Sequence, residues 1–295
     1  QMAVPTALFS AFAEAINRVP ELHEVDIKEA VQEGRQPSFR RLQVKVRAKI
    51  VADGLDDTTV SLQKRGAYLS PEEMNAYVQD PNSLVIDVRN NYESAIGHFE
   101  GALTPDADTF REELAMLPRL LAKKQVAKDT PIALYCTGGI RCEKASAWLK
   151  HNGYENVRHL KGGIIDYKHQ VEREGLENKF KGKNFVFDER LGERISDEII
   201  ATCHLCRTTP CDTHHHCKFQ PCHELFIGCD QCVTKRNGYC SWVCQTLDNL
   251  PVEWQKRYAQ YRRTHRSGFS KGRRVKGAQR SPVSPNKQSP RLFSP

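Results

Sequence analysis

The sequence predicts an α/β protein: a parallel sheet with flanking helices, preceded by part of a smaller α/β unit and followed by a Cys/His-rich metal-binding module. Three observations carry this. Apolar runs at 84–88, 132–135 and 157–160 alternate with helix-like segments at 71–79, 110–123 and 143–151, the rhythm of parallel strands joined by crossover helices. A strictly alternating stretch, Leu42 to Ile50, stands upstream of that rhythm. Nine of the eleven cysteines fall between 203 and 244.

The elements follow in order. Leu8, Phe9, Phe12 and Ile16 share one face of a helix over 8–16. From 42 to 50, Leu42, Val44, Val46, Ala48 and Ile50 point one way and Gln43, Lys45, Arg47 and Lys49 the other, which predicts a strand with a buried face and a basic face. That basic face is either a solvated exterior or a nucleic-acid surface. Residues 1–55 form a partial N-terminal unit; because the chain opens on Gln1, a fragment is expected. Residues 51–68 read as a linker. Ser70-Pro71-Glu72-Glu73 then starts a helix, with a capping serine, proline at the first helical position and early acids. The sheet unit spans 69–175, the cysteine-rich region 176–250 and a basic tail 251–295.

Composition narrows the class. No apolar stretch approaches the ~18 residues that cross a bilayer, and the N-terminus lacks the basic, apolar and small-residue regions of a signal peptide, so a soluble protein is expected. Cys-x2-Cys spacing on such a chain reads as metal ligation in a reducing compartment rather than as a disulfide framework, and places the protein in the cytoplasm, or an organelle if the source is eukaryotic. The net charge of +8 belongs to the tail: after Glu253 there are twelve basic residues and no acidic one, so residues 1–253 carry formally −4. The tail holds too few apolar residues for a core and is expected to be disordered. Its Ser-Pro dipeptides at 281, 284, 289 and 294 suit proline-directed phosphorylation, which would offset the basic charge.

Chemistry concentrates at Cys136-Thr137-Gly138-Gly139-Ile140-Arg141-Cys142, between the apolar run Ile132-Ala133-Leu134-Tyr135 and a helix-like segment. A cysteine where a strand hands over to a helix meets converging backbone N–H groups and the positive helix end, which favour its thiolate. Gly138 and Gly139 let the backbone curl into an anion-binding nest, and Arg141 adds a fixed cation. The competing reading is a buried structural cysteine packed as a small hydrophobe. Two glycines, an arginine and a second cysteine in one loop favour Cys136 as a nucleophile.

The loop resembles the active-site loop of the rhodanese, or sulfurtransferase, family, whose first loop cysteine carries a persulfide. Leu84-Val85-Ile86-Asp87-Val88-Arg89, Glu93 and Gly97-His98-Phe99-Glu100-Gly101-Ala102 resemble that family's opening signature, and Val157 through Ile164 its closing strand and glycine pair. Related phosphatases have Cys-x5-Arg; Cys136 to Arg141 is Cys-x4-Arg, a tighter cradle that disfavours phosphate esters. Asp87, Arg89, Glu93 and His98 read as supports for the loop, with direct chemistry open for His98.

The cluster comprises Cys203, Cys206, Cys211, Cys217, Cys222, Cys229, Cys232, Cys240 and Cys244, with His204, His214, His215, His216 and His223 among them. Two Cys-x2-Cys knuckles 22 residues apart, with further cysteines in each half, supply ligands for two tetrahedral zinc sites, and an iron–sulfur cluster is the alternative. Spacing does not group the ligands, and one cysteine is left over.

A narrower resemblance emerges from Gly182 through Arg190, Gly192 through Ser196 and Tyr135 through Trp148: together with the cluster they are similar to the bacterial and organellar tRNA uridine-34 hydroxylase family. The resemblance covers roughly 40–245. It implies a rhodanese-like catalytic fold, an N-terminal ferredoxin-like α/β domain represented here by its latter half, and oxygen-dependent formation of 5-hydroxyuridine at the tRNA wobble position. Cys136, Arg141 and Cys142 are then the catalytic candidates, with Thr137, Gly138, Gly139 and Ile140 as the loop. Molecular oxygen is the expected co-substrate, the tRNA anticodon loop the expected partner, and Lys45, Arg47 and Lys49 the expected RNA contacts. A sulfurtransferase passing a persulfide to a thiol or tRNA acceptor, and a zinc-stapled scaffold without catalysis, are the competing functions.

Overall fold

The computed structural model describes residues 2–23, 25, 27–30, 38–39, 46–47, 49–55 and 59–265, excepting the side chains of 262–265. The N-terminal helix α1 (Phe9–Asn17) forms where expected; Phe9, Phe12 and Ile16 are half-buried and Leu8 is exposed.

The central sheet has four parallel strands in the order β1 (Ala67–Leu69), β5 (Val157–Leu160), β4 (Ile132–Tyr135), β2 (Leu84–Asp87). Every residue of β4 is buried, because helices cover both faces. The pleat divides its side chains: Ile132 and Leu134 enter one core with Leu114, Leu117, Leu121, Ala145 and Leu149, while Ala133 and Tyr135 enter the other with Met74, Phe99, Ile164 and Tyr167. The first core lies under α4 (Phe110–Lys123) and α5 (Ile140–His151), the second under α2 (Pro71–Gln79) and α6 (Gly163–Glu174). Helix α2 starts as expected, the Ser70 hydroxyl accepting from Glu73 N–H while the Glu73 carboxylate accepts from Ser70 N–H.

A short helix α3 (Asn91–Ser94) leads to β3 (Gly97–Phe99), which pairs antiparallel with β6 (Phe180–Asn184), itself paired with β7 (Glu193–Arg194). The cysteine-rich region adds the hairpin β8 (His214–His216) and β9 (Leu225–Ile227), then α7 (Asp230–Lys235), α8 (Trp242–Asp248) and α9 (Val252–His265). It is tied back to the second sheet by buried Asp212, which pairs with Lys183 and Arg194 at 2.8 Å each.

Three expectations need correction. The segment 51–68 is no linker: Asp53 and Val60 are buried, Val51 and Leu55 pack on the core, and β1 begins at Ala67. Asp53 explains the anchoring, since its buried carboxylate meets Lys49 and Lys144 at 3.3 Å each. The strand expected at 42–50 falls largely outside the described residues, but Val46 and Ile50, assigned to its buried side, are 99% and 89% exposed. Alternation specifies a face and needs a partner surface to bury it; no described residue covers these two. The tail expected to be disordered from 251 is helical to His265, because Tyr258 packs on Phe219 and Gln255 donates to the carbonyls of Asp248 and Leu250. The Ser-Pro dipeptides lie outside the described residues.

Candidate active site and metal centres

Cys136 stands at the C-terminal end of β4, and α5 begins four residues later. The turn between them depends on Gly139, whose φ of +92° lies in the left-handed region, and its N–H donates to Cys136 Sγ at 3.1 Å. Gly138, expected to share that task, has no positive φ and open space where a Cβ would stand. The closing glycine pair does what sequence alone left unexplained. Gly162 and Gly163 both have positive φ, and a Cβ on Gly163 would lie 2.5 Å from the Cys136 carbonyl oxygen. That close approach lets the first turn of α6 hold the loop, with Ile164 N–H donating to the Cys136 carbonyl at 3.0 Å and Ile165 N–H to the Thr137 carbonyl at 3.2 Å.

Electrostatics then act on the thiol. Cys136 is 2% exposed, and burial alone pushes a thiol upward. The Cys142 thiol donating to it, the Arg141 cation and the N–H groups of Cys142 and Gly139 outweigh that and bring it down to about 6. Cys142 is fully buried and moves the opposite way, raised by burial and by its bond to Cys136. The two loop cysteines are thus one pair with divided roles, a thiolate and its hydrogen-bond donor.

Arg141 is committed more firmly than the sequence indicated. Its guanidinium pairs with Glu93 through two bonds of 2.7 and 2.9 Å and reaches Thr137 Oγ1 at 3.3 Å. Glu93 is itself fully buried, and its carboxylate also accepts from Asn90 N–H in the cap of α3. Behind this pair lies a second one: Arg89, fully buried, bonds Asp87 at 2.8 and 2.6 Å and the Gly97 carbonyl at 2.6 Å. His98 Nδ1 lies 2.9 Å from the Ser94 carbonyl oxygen. Of the four expected supports, Glu93 bonds the loop directly through Arg141, Arg89 reaches Thr137 through the Asn184 side-chain oxygen, and the His98 contact is with Ser94 rather than with the loop.

Two residues beside the site were not read from sequence. Glu113 in α4 is fully buried, and neither carboxylate oxygen has a hydrogen-bond partner. Burial foremost, then the charges of Asp87, Glu93 and Cys136, raise it well above the usual carboxylate range. Its signal was present: Phe110, Glu113, Leu114, Leu117 and Leu121 form one helical stripe, with Glu113 inside it. Phe187 is the other, an exposed ring 6.0 Å from Arg141.

The cluster resolves into two sets of four thiols, each with sulfurs within 4.8 Å of one another: Cys203, Cys206, Cys229 and Cys232, and Cys217, Cys222, Cys240 and Cys244. Pairs alternate along the chain, first with third and second with fourth, so the two sites are cross-braced. A tetrahedral zinc with Zn–S near 2.3 Å needs sulfurs about 3.8 Å apart. Cys222 to Cys240 and Cys240 to Cys244, at 3.7 and 3.6 Å, fit that spacing, and backbone N–H groups of Cys229 and Cys240 donate to Cys203 and Cys217 sulfurs. Cys211, buried, belongs to neither set, and neither set includes a histidine. Of the expected RNA contacts, Lys45 lies outside the described residues, Arg47 is exposed, and Lys49 turns its Nζ to the Leu55 carbonyl at 2.6 Å.

Comparison with known proteins agrees with this architecture. The family described as "Rhodanese-like domain" matches residues 70–170, and that described as "Rhodanase C-terminal" matches 181–245. A rhodanese-like domain from Anabaena sp., 22% identical with a TM-score of 0.30, covers 35% of this chain and 73% of that one. The tRNA uridine(34) hydroxylase of Leptospira interrogans serogroup Icterohaemorrhagiae serovar Lai is 47% identical over 273 residues, 92% of this chain and 73% of the relative. That of Enterobacter sp. is 48% identical over 274 residues, 92% of this chain and 77% of the relative. With 47% and 48% identity to these relatives over 92% of its length, the chain belongs to the tRNA uridine(34) hydroxylase family.

Proposed function

We propose that the protein hydroxylates C5 of the wobble uridine, position 34, in tRNA, using molecular oxygen and the Cys136 thiolate. The observation that carries this reading is an acidified cysteine, pulled to about 6, in the intact loop of a chain that belongs to this family. Uracil C5 is a weak nucleophile. Addition of Cys136 sulfur to C6 puts enolate electron density on C5, which then reacts with oxygen. The loop N–H groups and Arg141 stabilise charge developing on the enolate oxygen. The overall balance needs two further electrons: uridine, oxygen and the two thiols yield 5-hydroxyuridine, water and a Cys136–Cys142 disulfide, which a cellular thiol then reduces.

The surrounding assignments follow from the same reading. The two four-thiol sets suit zinc, which would cross-link the region after β7, where the two small apolar clusters around Leu225 and Phe219 include the thiols themselves. Wobble bases are unpaired in the anticodon loop, so splaying one toward Cys136 costs little. Arg47 and Lys45 serve as phosphate contacts, while the Lys49 ammonium is engaged with Asp53 and Leu55. No helix of the described residues is long and apolar enough to cross a membrane, and the cytoplasm or an organelle matrix supplies the tRNA and reduced thiols that the reaction needs.

Nucleoside mass spectrometry of tRNA from cells lacking the protein tests this. The expected result is loss of wobble 5-hydroxyuridine, restored by the wild-type chain and not by Cys136→Ala. Unchanged 5-hydroxyuridine, with thiosulfate-dependent thiocyanate formation in vitro, replaces hydroxylation by sulfur transfer.

A further inference from the structure

Phe187 is an aromatic ring exposed beside the catalytic loop. It sits in the turn after β6, where Arg190 clamps Asp188 through two bonds of 2.9 and 2.6 Å and reaches Glu193 at 2.6 Å. The ring is 41% exposed, although its neighbours Phe185 and Val186 are buried. Phe185 meets it edge-on at 5.2 Å and is itself wedged edge-on against Tyr92 and His214. The Arg141 guanidinium lies over one face of the Phe187 ring, 6.0 Å from its centroid. Ile140, first residue of α5 and neighbour of Arg141 in the loop, is exposed as well, at 53%.

An exposed apolar ring has no use in sulfur transfer between small anions and thiols. A pyrimidine is different: its two faces are apolar and polarisable, and they stack on aromatic side chains regardless of base identity. A ring braced on one edge by Phe185 loses little entropy when a base settles on it. Phe185 and Val186 are buried and Phe187 is exposed, where a simple core strand would bury both rings on one face.

We propose that Phe187 is the stacking platform for the target pyrimidine, holding its ring beside Cys136 while Arg141 faces the same space. The proposal rests on the tRNA reading above and names the residue that would hold the flipped base. It gives the site an apolar binding element for a nucleobase next to the charged groups, which would position phosphates or the enolate.

The test replaces Phe187 by Leu, Trp and Tyr in the full chain, expressed in cells lacking their own wobble hydroxylation. Nucleoside mass spectrometry reads 5-hydroxyuridine, and binding to a 17-nucleotide anticodon stem-loop is titrated in parallel. Phe187→Leu is expected to weaken stem-loop binding and lower 5-hydroxyuridine by roughly tenfold, the order of one lost base–aromatic stack, while Phe187→Trp and Phe187→Tyr restore both. The rescue separates stacking from a packing role, because Trp does not fit a site that merely fills space for Phe. Wild-type product with undiminished product and binding in Phe187→Leu overturns this inference alone. Loss in Phe187→Leu that neither aromatic restores also overturns it. Absence of 5-hydroxyuridine from the wild-type chain overturns the tRNA reading and this inference with it.

Discussion

Arg141 and Glu93 meet in a two-bond pair, 2.7 and 2.9 Å long, in which the carboxylate is fully buried and the guanidinium side chain is 13% exposed. The cation beside Cys136 is therefore fixed from below, so it can hold an orientation toward the thiolate without the entropy cost of a mobile arginine.

The two partners are unequal when removed. Arg141→Met leaves a buried carboxylate without its cation and is expected to cost about 3–5 kcal/mol of unfolding free energy. Glu93→Leu leaves an arginine that can reach solvent and costs less. The double variant is expected to be more stable than Arg141→Met alone, as measured by urea denaturation.

Cys136 is expected to react with iodoacetamide with a pH midpoint near 6. Cys142→Ala removes the donor that holds the thiolate and shifts the midpoint upward, whereas Cys142→Ser keeps a donor and leaves it low. A midpoint in Cys142→Ala equal to that of the wild type contradicts the pairing.

Glu113 makes stability depend on pH in a predictable direction. Its carboxyl is held neutral well above 4.5, so between 4.5 and its folded value the folded chain binds a proton that the unfolded chain has lost. Stability from this group is complete below about 4.5 and is lost as pH rises, by up to about 1.4 kcal/mol per pH unit. Glu113→Gln removes that slope and is expected to raise the thermal midpoint more at pH 8 than at pH 5. An equal change at both pH values refutes the assignment.

Metal analysis reads the cross-brace directly. The chain is expected to hold two zinc ions, one per thiol set. Cys206→Ser and Cys244→Ser are each expected to lower the content to about one, and Cys211→Ser to leave it at two. Chelation is expected to cost far-UV signal from the region after β7, since a structural zinc contributes folding energy outright.

Much of the catalytic unit was legible because local pattern and tertiary environment agree there. The helix over 110–123 appears with those limits, since its apolar stripe, its Thr109 cap and its basic end all point one way. The run 132–135 is a strand buried on both faces, and Cys136 leaves it at the expected C-terminal end. Agreement ended where burial depends on a distant partner. Alternation over 42–50 marked Val46 and Ile50 as interior, yet they are exposed; Asp53, in a stretch resembling a linker, is buried because Lys49 and Lys144 reach it.

By itself the sequence determined the candidate nucleophile, its loop and the supply of thiols for two four-sulfur sets. These are set by residue type and short spacing, which a linear reading preserves. Only the tertiary structure decided which four thiols meet, that Arg141 answers to Glu93 48 positions away, that Cys142 lowers Cys136 while its own thiol is raised, and that Glu113 lies unpaired near them. Charge, hydrogen bonding and burial act across a few ångströms of space, and the chain brings those ångströms together only when it folds.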